Sequence, residues 1–267
     1  MNFTNKKVVF AFSDAAGAKA CLALAHILRH EGRIGSFLAF SNKDHSFYKD
    51  WDIKVDVVED IADSAILGAD FIFTGTSHPN SSGGFELDLI KLAKQKNIYT
   101  YSFVDHWVNF TLRFQKNNEF IYPDKILVLD TLAEQNAVKE GIPSNKIEIY
   151  PNPYYRYIQQ FWTSKQSKSD ILKMLSIAAT DQKIILYAPD PLSLRHKKLP
   201  DSYDERSALA DILDSINFDD NVILIITPHP LQPVDYLIEK ISEYRSHNKI
   251  FFAGDNSESN NKDQVLR

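Results

Sequence analysis

At 267 residues the chain is long enough for one large α/β domain or for two domains of roughly 100–150 residues each. Its 30 Lys and Arg stand against 35 Asp and Glu, and the resulting net charge of −5 argues against a duplex nucleic-acid binder, which carries a basic face. A single cysteine, Cys21, excludes an intrachain disulfide and fits a reducing compartment, and neither a signal-peptide pattern nor a span of about 20 apolar residues is present. The expectation is a cytoplasmic protein, soluble or at most peripheral to the inner membrane.

Short aliphatic strands alternate with helical patterns through the first half. Strands are predicted at 8–12, 35–40, 54–58, 70–74, 98–103 and 125–129, with helices at 16–30, 61–67, 85–95 and 132–139 between them. That alternation specifies an α/β fold with a doubly wound parallel sheet. Cys21 falls in the apolar stripe of Leu22, Leu24, Ala25 and Leu28, so it reads as a buried structural thiol. A seventh strand at 146–150 runs into Pro151-Asn152-Pro153, and the aromatic segment 154–162 behind it marks a crossing between layers or domains.

Residues 163–168 are polar and linker-like, and a helix at 169–178 follows, with Ser169 and Asp170 suited to its start. A strand at 183–188, a helix at 203–215, a strand at 221–227, a helix at 234–244 and a strand at 249–253 begin a second Rossmann-like unit. The stretch 255–267 is too weakly apolar to add a strand. The organisation expected is thus a first domain over 1–153 and a second, apparently incomplete one over 169–267.

The chemistry-bearing residues cluster where predicted strands end. In an open parallel sheet that rim is the ligand-binding edge, and a helix N-terminus there favours anions. Ser13-Asp14-Ala15-Ala16-Gly17-Ala18 follows the first strand and opens a helix. Asp14 is either the N-cap of that helix or a general base for an acceptor hydroxyl, and the two roles are compatible. With Gly17 its only glycine, this turn is not a dinucleotide fingerprint. After the strand at 70–74, the loop 76–84 carries Ser77, His78 and two glycines, and reads either as a mobile substrate loop or as a plain connection.

The segment 104–114 gathers Asp105, His106, Trp107, Asn109 and Arg113, groups that are costly to bury unless they pair with each other or with a ligand. Asp105 with His106 can form an acid–base pair, and Arg113 can hold a phosphate or carboxylate. The alternative is a polar network bracing the loop, with Trp107, Phe110 and Phe114 packed beneath it. In the second half, the run Val222-Ile223-Leu224-Ile225-Ile226 reads as a strand buried on both faces, stopped by Pro228-His229-Pro230. This places His229 at a strand's carboxyl end. Neither Asp56 nor Asp124 has a second carboxylate at the Asp-x-Asp metal spacing, and Asp219-Asp220 reads as a solvated turn. The basic run 195–198 is likewise read as a solvated loop.

Two Rossmann-like units joined by a proline-rich crossing resemble the GT-B glycosyltransferase layout. Ile184-Ile185-Leu186-Tyr187-Ala188-Pro189, followed some forty residues later by Thr227-Pro228-His229-Pro230, resembles the donor half of CDP-glycerol glycerophosphotransferases and bacterial polysialyltransferases. Tyr150-Pro151-Asn152-Pro153-Tyr154 looks like the strand end leading between domains in related GT-B enzymes. The resemblance implies that His229, with Pro228 and Pro189, sits at a nucleotide phosphate. It implies a metal-independent glycosyltransferase that needs no cofactor beyond a nucleotide-activated sugar and acts on a glycan or lipid-linked acceptor in surface-polysaccharide synthesis. Asp14, Asp105 and His106 are the expected catalytic groups, and Ser77, His78, Trp107 and Arg113 the substrate contacts. Asp14, His78, Asp105, His106 and Arg113 are expected to line one cleft facing His229. Two alternatives stay open: a nucleotide-sugar hydrolase or epimerase on the same fold, and a catalytically incomplete binding or accessory protein.

Overall fold

The computed structural model describes residues 3–161, 167–178, 181–195, 203–216, 221–229, 232–243 and 249–253. The chain divides into two compact units, 1–163 and 164–267.

The first unit runs β1 (Phe3–Phe12), α1 (Ala15–His30), β2 (Ile34–Ser41), β3 (Asp56–Val57), β4 (Phe71–Thr74), α2 (Pro79–Ser82), α3 (Phe85–Gln95), β5 (Tyr99–Val104), α4 (Phe110–Arg113), β6 (Gln115–Lys116), β7 (Glu119–Phe120), β8 (Lys125–Val128), α5 (Thr131–Lys139), β9 (Ile147–Ile149) and α6 (Pro153–Phe161). Seven of these strands form one parallel sheet in the order β3-β2-β1-β4-β5-β8-β9, while β6 and β7 make a small antiparallel hairpin. Side chains alternate across a strand, so β1 supplies both layers. Phe10 and Phe12 pack with Leu22 and Leu28 of α1, whereas Val9 and Ala11 pack with Leu89 and Ala93 of α3. Helices therefore cover both faces, as a doubly wound sheet requires. The strand order reverses at β1, so the crevice outside the carboxyl ends of β1 and β4 is the topological switch point.

Two sequence expectations change here. The stretch 61–67 is not an α-helix: it makes a single 3-10 turn, Asp63–Ala65, capped at Ile66, since so short a stretch cannot repay helix nucleation. The strand expected at 54–58 pairs over Asp56–Val57 alone, at the sheet edge. The aromatic crossing segment is helix α6, whose Tyr157 stacks on Trp51 and meets His26 of α1 edge-on.

In the second unit the elements are α7 (Lys168–Met174), β10 (Lys183–Tyr187), α8 (Leu192–Arg195), α9 (Glu205–Ile216), β11 (Val222–Ile226), α10 (Asp235–Ser242) and β12 (Lys249–Phe252). Ser167, rather than Ser169, caps α7 in a capping box with Asp170. The strands form a parallel sheet, β10-β11-β12. Central β11 is buried along its whole length: Val222, Leu224 and Ile226 face α9 and α10, and Ile223 and Ile225 face Leu172 and Ile177. The linker residues 163–166, residues 196–198 of the basic run, Asp219, Asp220, Pro230 and the stretch 255–267 lie outside the described residues.

Candidate functional site

The rim of the first unit is built where β1, β4 and β5 end. Beyond Phe12 the buried Ser13 leads to Asp14, whose Oδ1 accepts a hydrogen bond from the Gly17 amide at 2.7 Å and so caps α1. The capping role is the one seen, and it leaves the second carboxylate oxygen of Asp14 outside this hydrogen bond. The first turn of α1 touches the loop after β4 backbone to backbone: a Cβ on Gly17 would lie 2.9 Å from the Cα of Gly75. Glycine is required there by space.

Glu86, at the second position of α3, is 3% exposed and sits beneath this contact. Its Oε1 accepts from the Ser13 amide at 3.0 Å and from Ser77 Oγ at 2.8 Å. Burial pushes its carboxyl above the usual glutamate range; the hydrogen bonds from Ser77 and Ser13 oppose that rise, and the charge of Asp14 adds to it. Ser77, expected as a substrate contact, is buried, and its hydroxyl is given to Glu86. His78 is exposed; its Nδ1 accepts from the Asn80 amide at 3.2 Å and caps α2.

From the end of β5 comes Asp105. Its partner is Arg113 (3.5 Å) rather than the adjacent His106, whose ring lies exposed beside Trp107. Arg113 Nη1 also donates to the Thr76 carbonyl at 2.6 Å, fastening the β5 loop to the β4 loop, while its buried Nε has no partner. Burial raises the Asp105 carboxyl above the usual aspartate range; Arg113 pulls it back and Asp14 pushes it further up. Phe110 and Phe114 pack beneath the loop, but Trp107 does not: it is 38% exposed, with Nε1 donating to Asp130 at 2.9 Å.

Asp14, Glu86, Asp105 and Arg113 thus share one sheet edge. Glu86 and His45 were not anticipated. His45 lies within 3.1 Å of the Ser13 carbonyl through Nε2 and stacks on Phe47. Lys19 lies over the rings of Phe47 and Tyr154. One signal did mark Glu86: it falls in phase with Ile90 and Ala93, on the buried stripe of α3. Burial also raises the Cys21 thiol, consistent with a structural residue. Among the described residues no group of three or more His, Cys, Asp or Glu side chains is placed to share a metal ion.

On the rim of the second unit, Pro189 is buried just past β10, and Thr227 extends the ladder past β11 by donating to the Tyr187 carbonyl at 2.8 Å. Pro228 and His229 follow, both half-buried. The His229 amide donates to Gln232 Oε1 at 3.2 Å, and the Gln232 amide returns a bond to the His229 carbonyl at 2.7 Å. The histidine therefore stands at the carboxyl end of the central parallel strand.

No protein family matches the sequence, and no curated protein does. Solved structures do match. HepE from Anabaena in complex with UDP-glucose aligns at TM-score 0.62 and 14% identity, over 94% of this chain and 69% of its own. A glycosyltransferase from Rickettsia africae aligns at 0.61 and 13%, over 95% and 70%. The UDP-GlcNAc 2-epimerase from Methanocaldococcus jannaschii aligns at 0.56 and 14%, over 92% and 72%. What they share with this chain is the fold. It is an α/β fold of GT-B type, with Rossmann-like units. Among the described residues no helix is long and apolar enough to cross a membrane.

Proposed function

We propose that this chain is a metal-independent glycosyltransferase that takes a nucleotide-activated sugar and, without a further cofactor, passes the glycosyl group to a glycan or lipid-linked acceptor in cytoplasmic steps of surface-polysaccharide synthesis. The observation that carries the reading is the largely buried Asp105, raised in pKa, held by Arg113 and on one sheet edge with Asp14. A carboxylate of raised pKa is a better base near neutrality than an ordinary one. Asp105, or Asp14 beside it, would take the proton of the acceptor hydroxyl; the oxygen would attack the anomeric carbon, and the bond to the nucleotide phosphate would break. By the His-Pro resemblance, His229 would donate to the leaving phosphate, flanked by Pro228 and Pro189. His78, His106 and Trp107, all exposed on the loops after β4 and β5, would contact the sugar or the acceptor.

A second reading is supported by the likeness to a UDP-GlcNAc 2-epimerase, because Asp14 and Asp105 could equally remove and return a sugar proton. Incubation with UDP-glucose and UDP-N-acetylglucosamine in D₂O, with and without oligosaccharide acceptors, separates the two. UDP release that depends on an acceptor supports transfer. Deuterium on a sugar carbon without an acceptor supports epimerisation. UDP release with neither supports hydrolysis, and no turnover supports an accessory protein. His229→Ala should lower turnover by about 10²–10³ without loss of folding, and unchanged UDP affinity by calorimetry would remove the donor role.

A further inference from the structure

The second unit contains a buried chain of hydrogen bonds that runs from one carboxylate to the backbone of His229. Glu205, the first residue of α9, is 3% exposed although charged. It accepts from the amide of Ser193 at 3.0 Å and from the Ser193 hydroxyl, which lie on α8 just past β10. It also accepts from Tyr236 Oη, on α10, at 2.6 Å. Tyr236 Oη in turn accepts from Gln232 Nε2, and Gln232, 1% exposed, takes the His229 amide on Oε1. Tyr187, at the end of β10, donates to the Glu205 carbonyl at 2.6 Å.

The direction of every bond is forced. An ionised carboxylate only accepts, so the single Tyr236 proton must point to Glu205. Tyr236 Oη can then only accept from Gln232, which must present its NH₂ group there and its oxygen to the His229 amide. A flipped Gln232 would set NH₂ against N–H and leave two buried groups unsatisfied, at a cost of about 1–3 kcal/mol each. The Glu205 carboxyl is held below the usual glutamate range, because the bonds from Ser193 and Tyr236 outweigh its burial.

We infer that Glu205 is a positioning residue for the donor loop, fixing the backbone of His229 through Tyr236 and Gln232 and the loop after β10 through Ser193. This rests on the assignment of His229 to a nucleotide phosphate. It adds that the polarity of a relay, and not strand ending alone, sets the conformation in which His229 is presented. Such pre-organisation acts on ligand affinity more than on folding, because the bonds are local to one rim.

The test uses the full chain, with UDP as the probe. Tyr236→Phe keeps the ring and deletes the relay oxygen; Glu205→Gln keeps the volume and deletes the forced polarity. Both should weaken UDP binding about tenfold, the worth of one such hydrogen bond. Both should also speed hydrogen exchange at the His229 amide while leaving Ile223–Ile226 protected. Tyr203→Phe, which deletes an exposed hydroxyl donating to Asp211, should change neither. Unaltered exchange at His229 in both variants would overturn the relay. Faster exchange with unaltered UDP affinity would overturn its role in positioning a donor site. A wild-type chain that binds no UDP would remove the donor assignment itself, and with it the positioning role, while the exchange result would still report whether the relay exists.

Discussion

Replacing Glu86 tests both its burial and its hydrogen bonds. Glu86→Ala leaves two close donors, the Ser13 amide and the Ser77 hydroxyl, buried without an acceptor. At about 1–3 kcal/mol per orphaned group the loss should be about 2–6 kcal/mol, at any pH. Glu86→Gln behaves differently. Its carbonyl oxygen still accepts from both donors, and its NH₂ group takes the place of Oε2, which accepts from Ser77 Oγ alone and can instead donate to it. The pH dependence follows from the direction of the shift. The folded carboxyl is raised above its ordinary value of 4.5, so between 4.5 and the folded value the native state binds the proton more tightly than the unfolded chain. Stability is therefore full below that window and is lost as pH rises through it, at about 1.4 kcal/mol per unit of upward shift. Glu86→Gln should lack this loss, matching wild type near pH 4 and equalling or exceeding it at pH 8. Urea melts of the three proteins from pH 4 to pH 8 measure it. If Glu86→Gln is as destabilised as Glu86→Ala across that range, the claim that the buried charge opposes folding is wrong.

Asp14→Asn should keep the cap and the melting temperature but abolish turnover if Asp14 is the base, whereas Asp14→Ala should also cost about 1 kcal/mol of stability; melts paired with the UDP-sugar assay distinguish cap from base. Gly17→Ala should destabilise by about 1–3 kcal/mol, since its Cβ meets backbone at Gly75 that cannot rotate away; an unchanged melting temperature would contradict the close approach. Arg113→Met removes the charge that holds Asp105 down, so the Asp105 carboxyl should titrate higher still, visible by carboxyl NMR, and the acidic limb of any pH–rate profile should move up with it.

The sequence by itself determined the alternation of strands and helices. Runs such as 222–226 are apolar at every position, which only a strand covered on both faces can use, and β11 is such a strand. It also determined that Asp14, Asp105 and His229 emerge at the carboxyl ends of parallel strands, because strand direction in βα units is fixed by local connection. Partners were another matter. Adjacent residues leaving an extended strand point to opposite sides, so Asp105 does not meet His106; it meets Arg113, carried back by the short helix α4. Ser77 and Glu86 likewise find each other because α3 turns its first residues beneath the rim, a contact that depends on how the helix lies on the sheet. Local pattern fixes where a side chain leaves the backbone, since propensity and periodicity act over a few residues. Which side chain it meets there is decided by packing between segments distant in sequence, and those pairings set the charge and the pKa of each group at the site.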